Sequence, residues 1–192
     1  MKKVGLYFGS FNPIHVGHLI ISNYMVNHTN LDEVWFVVSP QNPLKKQGSL
    51  INVYDRIEMA RLAIGEDNLK LRVSDVEVNL PIPSYTIDTL IYLKETQAEI
   101  DFSIIMGADN VLTIQKWKNF EVLLRDYQIY VYPRPGYGQK SIETTPNIHW
   151  VDAPLMEISS SFIRKSIKNN KSVKYIISDK VIEFIEKSNL YS

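Results

Sequence analysis

The chain has 192 residues, 45% of them hydrophobic and 22% charged, with 21 basic side chains against 21 acidic ones. That length and apolar fraction suit one globular domain with a sizeable core, and they exclude a disordered tail or a collagen-like repeat. The absence of cysteine closes disulfide frameworks, thiolate metal sites and thiol nucleophiles, and a formal net charge of zero argues against a general polyanion binder, so no nucleic-acid partner is expected.

The chain opens Met1-Lys2-Lys3 and runs into an apolar stretch at 4–8, too short for a signal peptide, and no apolar run approaches the roughly 18 residues of a membrane span. A soluble, cytoplasmic protein with no membrane partner is expected. Short apolar runs rich in β-branched and aromatic residues lie at 3–8, 33–38, 70–73, 102–106, 128–132 and around 149–151. Their near-continuous apolarity predicts strands covered on both faces. Helix-period stretches lie between and after them, at 17–26, 54–64, 86–96, 119–125, 160–168 and 179–187. Strand alternating with helix predicts an α/β fold, a doubly wound and mostly parallel sheet with helices on both faces. One domain over 1–192 is expected, with a C-terminal helical portion from about 159. In such sheets ligands bind beyond the carboxyl ends of the strands, so the loops after strands are where chemistry belongs.

The loop after the first strand reads Gly9-Ser10-Phe11-Asn12-Pro13-Ile14-His15-Val16-Gly17-His18. Gly9 permits a tight turn, Gly17 permits close backbone approach, and the next helix begins with amides suited to an anion. His15 and His18, three apart at the mouth of that helix, can address one ligand near the positive end of its dipole. A zinc site would need further ligands, and neither cysteine nor a matching acidic neighbour is at hand, so no metal is assigned to protein ligands. Late in the chain, Ile158-Ser159-Ser160-Ser161-Phe162-Ile163-Arg164 precedes an apolar helix. A single serine there would be an ordinary N-cap. Three hydroxyls with an arginine in the first turn describe a site for phosphate oxygens.

These two runs resemble the paired signatures of the histidine-motif nucleotidyltransferases. Further stretches resemble one family within them, the bacterial nicotinate mononucleotide adenylyltransferases: Ser39-Pro40-Gln41-Asn42-Pro43-Leu44-Lys45, Pro83-Ser84-Tyr85-Thr86, Met106-Gly107-Ala108-Asp109, Trp117, and Pro133-Arg134-Pro135-Gly136-Tyr137. Ser10 and Asn12 stand where bacterial members more often carry a small residue or threonine and an aspartate, and Leu44 stands where a proline is usual. The resemblance implies a Rossmann-like fold and a reaction in which the 5′-phosphate of a pyridine mononucleotide attacks the α-phosphorus of ATP. On that footing His15, His18, Arg164 and Lys45 are the expected catalytic residues. ATP would meet Gly9, Ser10, Phe11, His15, His18, Gly107, Asp109, Ser160, Ser161 and Arg164. The mononucleotide would meet Asn12, Lys45, Tyr85, Thr86, Trp117 and Arg134.

Several of these residues have plainer readings. Lys45 also reads as a solvated loop lysine beside Lys46, and Thr86 as an N-cap. Trp117 lies among Gln115, Lys116, Lys118 and Asn119 and so lacks the apolar flanks of a core tryptophan, whereas Trp35 sits in an apolar strand and reads as core. Mg²⁺ is expected as cofactor, bound mainly through the ATP phosphates. The expected partners are ATP and nicotinate mononucleotide, and a homo-oligomer stays open. A nicotinamide-preferring or dual enzyme, a phosphopantetheine adenylyltransferase and an ATP-binding regulatory domain are the competing readings.

Overall fold

In a computed structural model, which describes residues 1–41, 50–66, 68–137 and 145–192, six strands form one sheet in the order β3-β2-β1-β4-β5-β6. They are β1 (Lys2–Gly9), β2 (Glu33–Val38), β3 (Leu71–Ser74), β4 (Ile100–Gly107), β5 (Ile129–Tyr132) and β6 (Ile148–Trp150), and every pairing is parallel. The helices are α1 (Val16–His28), α2 (Val53–Ile64), α3 (Thr86–Thr96), the single turn α4 (Ala108–Val111), α5 (Phe120–Asp126), α6 (Ser160–Lys168) and α7 (Asp179–Lys187). Two 3-10 turns, Val76–Asn79 and Ile114–Lys116, complete the described elements.

The period of two along each strand divides the core. Tyr7, Val34, Phe36, Val38 and Ile105 pack with residues of α1, α2, α6 and α7 on one face. Their neighbours Leu6, Trp35, Val37, Ile104 and Met106 pack with residues of α3, α4 and α5 on the other. This is the double winding expected from the sequence. Trp35 is core, 8% exposed, with its indole N–H donating to Glu33 at 2.9 Å.

Local chemistry sets the helix starts. Asn52 caps α2 by accepting from the Tyr54 amide, Ser159 caps α6 and Ser178 caps α7. The alternative reading of Thr86 as an N-cap is corrected: Tyr85 occupies the cap position of α3, in extended backbone, and Thr86 is the first helical residue. Strand order reverses at β1, which lies between β2 and β4. A crevice for ligands belongs at that reversal, beyond Gly9 and Gly107.

Candidate active site

The loop from Ser10 to Ile14 leaves β1 and enters α1. Phe11 takes φ 43°, in the left-handed region, and is 2% exposed, its ring packed edge-on against Tyr7, Phe36 and His18. Gly9 has a steric role: a Cβ there would stand 2.8 Å from the Phe11 ring. Side chains from distant elements grip this loop. Arg56 Nη1 of α2 donates to the Ser10 carbonyl at 2.7 Å, Arg164 Nη1 of α6 to the Asn12 carbonyl at 2.7 Å, and Ser160 Oγ to the Pro13 carbonyl at 2.9 Å. Arg164 Nη2 also donates to Ser161 Oγ at 3.2 Å. The two signatures, far apart in sequence, are therefore bonded to each other.

His15 occupies the N-cap of α1, and its amide donates to His18 Nδ1 at 3.2 Å. A ring that accepts at Nδ1 carries its proton on Nε2, which makes His18 a donor at its outer nitrogen. The two imidazoles stack at 3.7 Å between centroids. Gly17 permits this, since a Cβ there would stand 3.0 Å from His15 Nδ1. His15 is 6% exposed, and burial, with the nearby Arg134 guanidinium, lowers its pKa to about 4. It is neutral at pH 7. Not all of the amides at the mouth of α1 face outward, because Val16 N–H donates to the Ile176 carbonyl at 2.9 Å.

Across the crevice, Gly107 ends β4. A Cβ there would stand 2.5 Å from Asp109 Oδ1 and 3.0 Å from Arg134 Nε, so only glycine lets these two groups close over the strand end. Arg134 Nε lies 3.6 Å from Asp109 Oδ1, beyond hydrogen-bonding distance, and its guanidinium sits 5.4 Å over the Tyr132 ring. Beneath it, Tyr7 donates to Tyr132 at 2.9 Å between hydroxyls, and burial holds both phenols above their ordinary range. Tyr7, His15, His18, Tyr132, Arg134 and Met156 line one small recess. The sequence offered no chemical argument for Arg134; the structure puts its cation beside the paired histidines.

Tyr85 and Thr86 open α3, and Lys118 Nζ lies 5.0 Å over the Tyr85 ring while bonding the Asp88 carboxylate at 2.7 Å. Lys118 thus ties the Trp117 segment to the first turn of α3. Trp117 is half-buried against the cluster on that face, and its indole Nε1 has no hydrogen-bond partner among the described residues. Lys45 lies outside the described residues. Among the described residues no group of three or more His, Cys, Asp or Glu gathers as a metal site would require, and no helix is long and apolar enough to cross a membrane.

Residues 6–166 match the cytidylyltransferase-like family model. The chain is 50% identical to the "Probable nicotinate-nucleotide adenylyltransferase" of Flavobacterium johnsoniae, over 98% of each chain. It is 37% identical to the protein of the same name from Bacillus licheniformis, over 100% of this chain and 99% of that one. The chain belongs to the nicotinate-nucleotide adenylyltransferase family. Among solved structures, Plasmodium falciparum nicotinic acid mononucleotide adenylyltransferase complexed with NaAD shares the fold with a TM-score of 0.83, at 24% identity over 100% of this chain and 98% of that one.

Three residues escaped the sequence reading of this adenylyltransferase. Arg56 is 1% exposed and donates to four carbonyls: Ser10, Ser39 and Pro40 after the first two strands, and Ile51 ahead of α2. A signal existed, since Arg56 shares the buried face of α2 with Met59 and Ala60 at helical spacing. Glu77, 1% exposed, accepts from Thr89 Oγ1 at 2.8 Å, and burial raises its pKa. Tyr191 donates to Asn12 Oδ1 at 2.7 Å. Neither Glu77 nor Tyr191 falls in a recognisable motif.

Proposed function

We propose that this adenylyltransferase transfers the adenylyl group of ATP to nicotinate mononucleotide, giving nicotinate adenine dinucleotide and pyrophosphate, a step of NAD biosynthesis. The observation that carries the reading is the direct bonding of Arg164 and Ser160 to Asn12 and Pro13, which joins the two signatures around the paired histidines. The names of relatives at up to 50% identity over nearly the whole chain support the same reaction.

The acceptor needs no general base. A phosphate monoester with a second pKa near ~6 is largely dianionic at neutral pH. The protein's task is to align two polyanions and to stabilise charge as it spreads over the α-phosphate and the departing pyrophosphate. His18, with its proton on Nε2, donates to the α-phosphate oxygens. His15 lies against the phosphate chain, and its neutrality leaves the cationic work to the arginines. Ser160 commits its one donor to Pro13, so its part is to shape the loop. Ser161, Arg164 and the first-turn amides of α6 meet the triphosphate. Gly107 and Asp109 receive the ribose, Arg134 the phosphates between the two nucleotides, and Lys45 the leaving pyrophosphate. At the other end the α3 amides at Tyr85 and Thr86 take the nicotinate carboxylate, and Trp117 stacks on the ring.

Mg²⁺ fits this donor set as an ion carried by the ATP phosphates, with the Asp109 carboxylate near Arg134. When bound it neutralises phosphate charge.

The test is pyrophosphate release from ATP and Mg²⁺ with three acceptors. Strong preference for nicotinate mononucleotide is expected. Equal rates with nicotinamide mononucleotide would remove the carboxylate selection, preference for phosphopantetheine would replace the acceptor, and release with none would overturn the reaction.

A further inference from the structure

Tyr191 lies beyond the last helix, yet it reaches the first loop of the site. The route is set by the way α7 ends. Asn189 N–H donates to the Glu186 carbonyl at 3.2 Å and Leu190 N–H to the Ile185 carbonyl at 3.0 Å, with Asn189 at φ 53°. This is the Schellman pair of bonds, with asparagine in the left-handed position usually given to glycine. Leu190 then packs against the core on the α1 and α2 face, and Tyr191 takes φ 65°. A residue with a Cβ holds that conformation only where its surroundings over-determine it.

The partly buried phenol donates to Asn12 Oδ1 at 2.7 Å. Asn12 is 2% exposed, and its own carbonyl is taken by Arg164 at 2.7 Å. Asn12 is therefore gripped twice from the C-terminal part of the chain, at its side chain by Tyr191 and at its backbone by Arg164. The charged groups that bear on the phenol are Arg164, Arg56 and Asp55. Burial outweighs them and raises its pKa, so the group stays a neutral donor at working pH. In this bond the Asn12 amide turns its oxygen toward the phenol.

We propose that Tyr191 is a positioning residue for the adenylyl transfer, its hydroxyl fixing the Asn12 side chain and with it the loop that meets the mononucleotide. The inference rests on the proposed reaction and on the contact between Asn12 and that substrate which the family resemblance implies. Tyr191 acts through Asn12 and touches no reacting atom.

The test combines Tyr191→Phe, Asn12→Ala and the double variant, with KM measured separately for nicotinate mononucleotide and ATP by pyrophosphate release. Tyr191→Phe raises the mononucleotide KM about five- to tenfold and leaves the ATP KM within about twofold. Asn12→Ala reproduces that split, and adding Tyr191→Phe to it changes KM no further, because the shared interaction is already gone. A thermal shift of a few degrees accompanies either kind of role and does not discriminate. Unsplit KM values for Tyr191→Phe overturn the inference, and so does an undiminished added loss in the Asn12→Ala background. A wild type that releases no pyrophosphate overturns both the proposed reaction and this inference, whereas an active wild type beside an unchanged Tyr191→Phe overturns the inference alone.

Discussion

The two sides of the crevice are built differently. On the β1 side, the carbonyls of Ser10, Asn12 and Pro13 each accept from a side chain of α2 or α6, and His18 is oriented by the His15 amide. On the β4 and α3 side, Asp109 Oδ1 and Arg134 Nε face each other at 3.6 Å without a hydrogen bond, and Trp117 Nε1, like His15 Nδ1 on the first side, has no hydrogen-bond partner among the described residues. Buried polar groups are rarely left without a partner in a folded protein. On the proposed function, the first side is a preset frame that serves the phosphate chemistry. On the same proposal, the Trp117 and α3 part of the second side is where the mononucleotide is selected, and that contrast organises the expected effects of substitution.

The largest effect falls on the frame. Arg56→Met removes donors from four carbonyls and is expected to lower unfolding free energy by about 4 kcal/mol or more, read from urea midpoints. Arg56→Lys, which keeps the charge without the fork, should fall between it and wild type. If both stay within about 1 kcal/mol of wild type, the frame does not depend on this clamp.

The same frame carries a pH signature. The unfolded His15 ring titrates near the ordinary 6.5 and the folded ring near 4, so between those values the unfolded chain binds the extra proton. Stability is complete above about pH 6.5, declines as pH falls through that window, and is lower by about 3 kcal/mol below pH 4. Glu77, whose buried carboxyl titrates above its ordinary range, acts in the opposite sense, stabilising at low pH and losing that contribution as pH rises. Comparing wild type with His15→Asn isolates the histidine. A variant with the same pH dependence as wild type would mean that the ring is not held neutral by burial.

His18→Ala is expected to lower turnover by about a hundredfold or more, roughly 2.7 kcal/mol of transition-state stabilisation, with the fold intact by circular dichroism. Turnover near the wild-type rate would deny His18 its phosphate role.

All six strands were legible in the sequence because their apolar runs are continuous, and the six longer helices because theirs recur at helical period. The single turn α4 and the two 3-10 turns were not, since an element of three or four residues shows less than one full helical repeat. The paired histidines, the serine run and Gly107 were legible because their residue types are unusual after strands. Arg56 and Tyr191 were not, for a physical reason. Each acts on backbone or side-chain atoms 46 and 179 residues away, and no local pattern records a hydrogen bond made across the fold. Trp117 lacks the apolar flanks of a core residue, yet it is half-buried, because it packs against the core cluster formed with α3, α4 and α5.

The central claim, that bonds from α2 and α6 preset the β1 loop while the Trp117 segment selects the mononucleotide, is tested most directly by calorimetric titration of Trp117→Ala with each substrate in turn. The account predicts that affinity for nicotinate mononucleotide falls by about three- to tenfold, the value of a lost aromatic stack, while ATP affinity stays within about twofold. Equal loss for both ligands would make Trp117 a packing residue of the whole crevice and contradict the division.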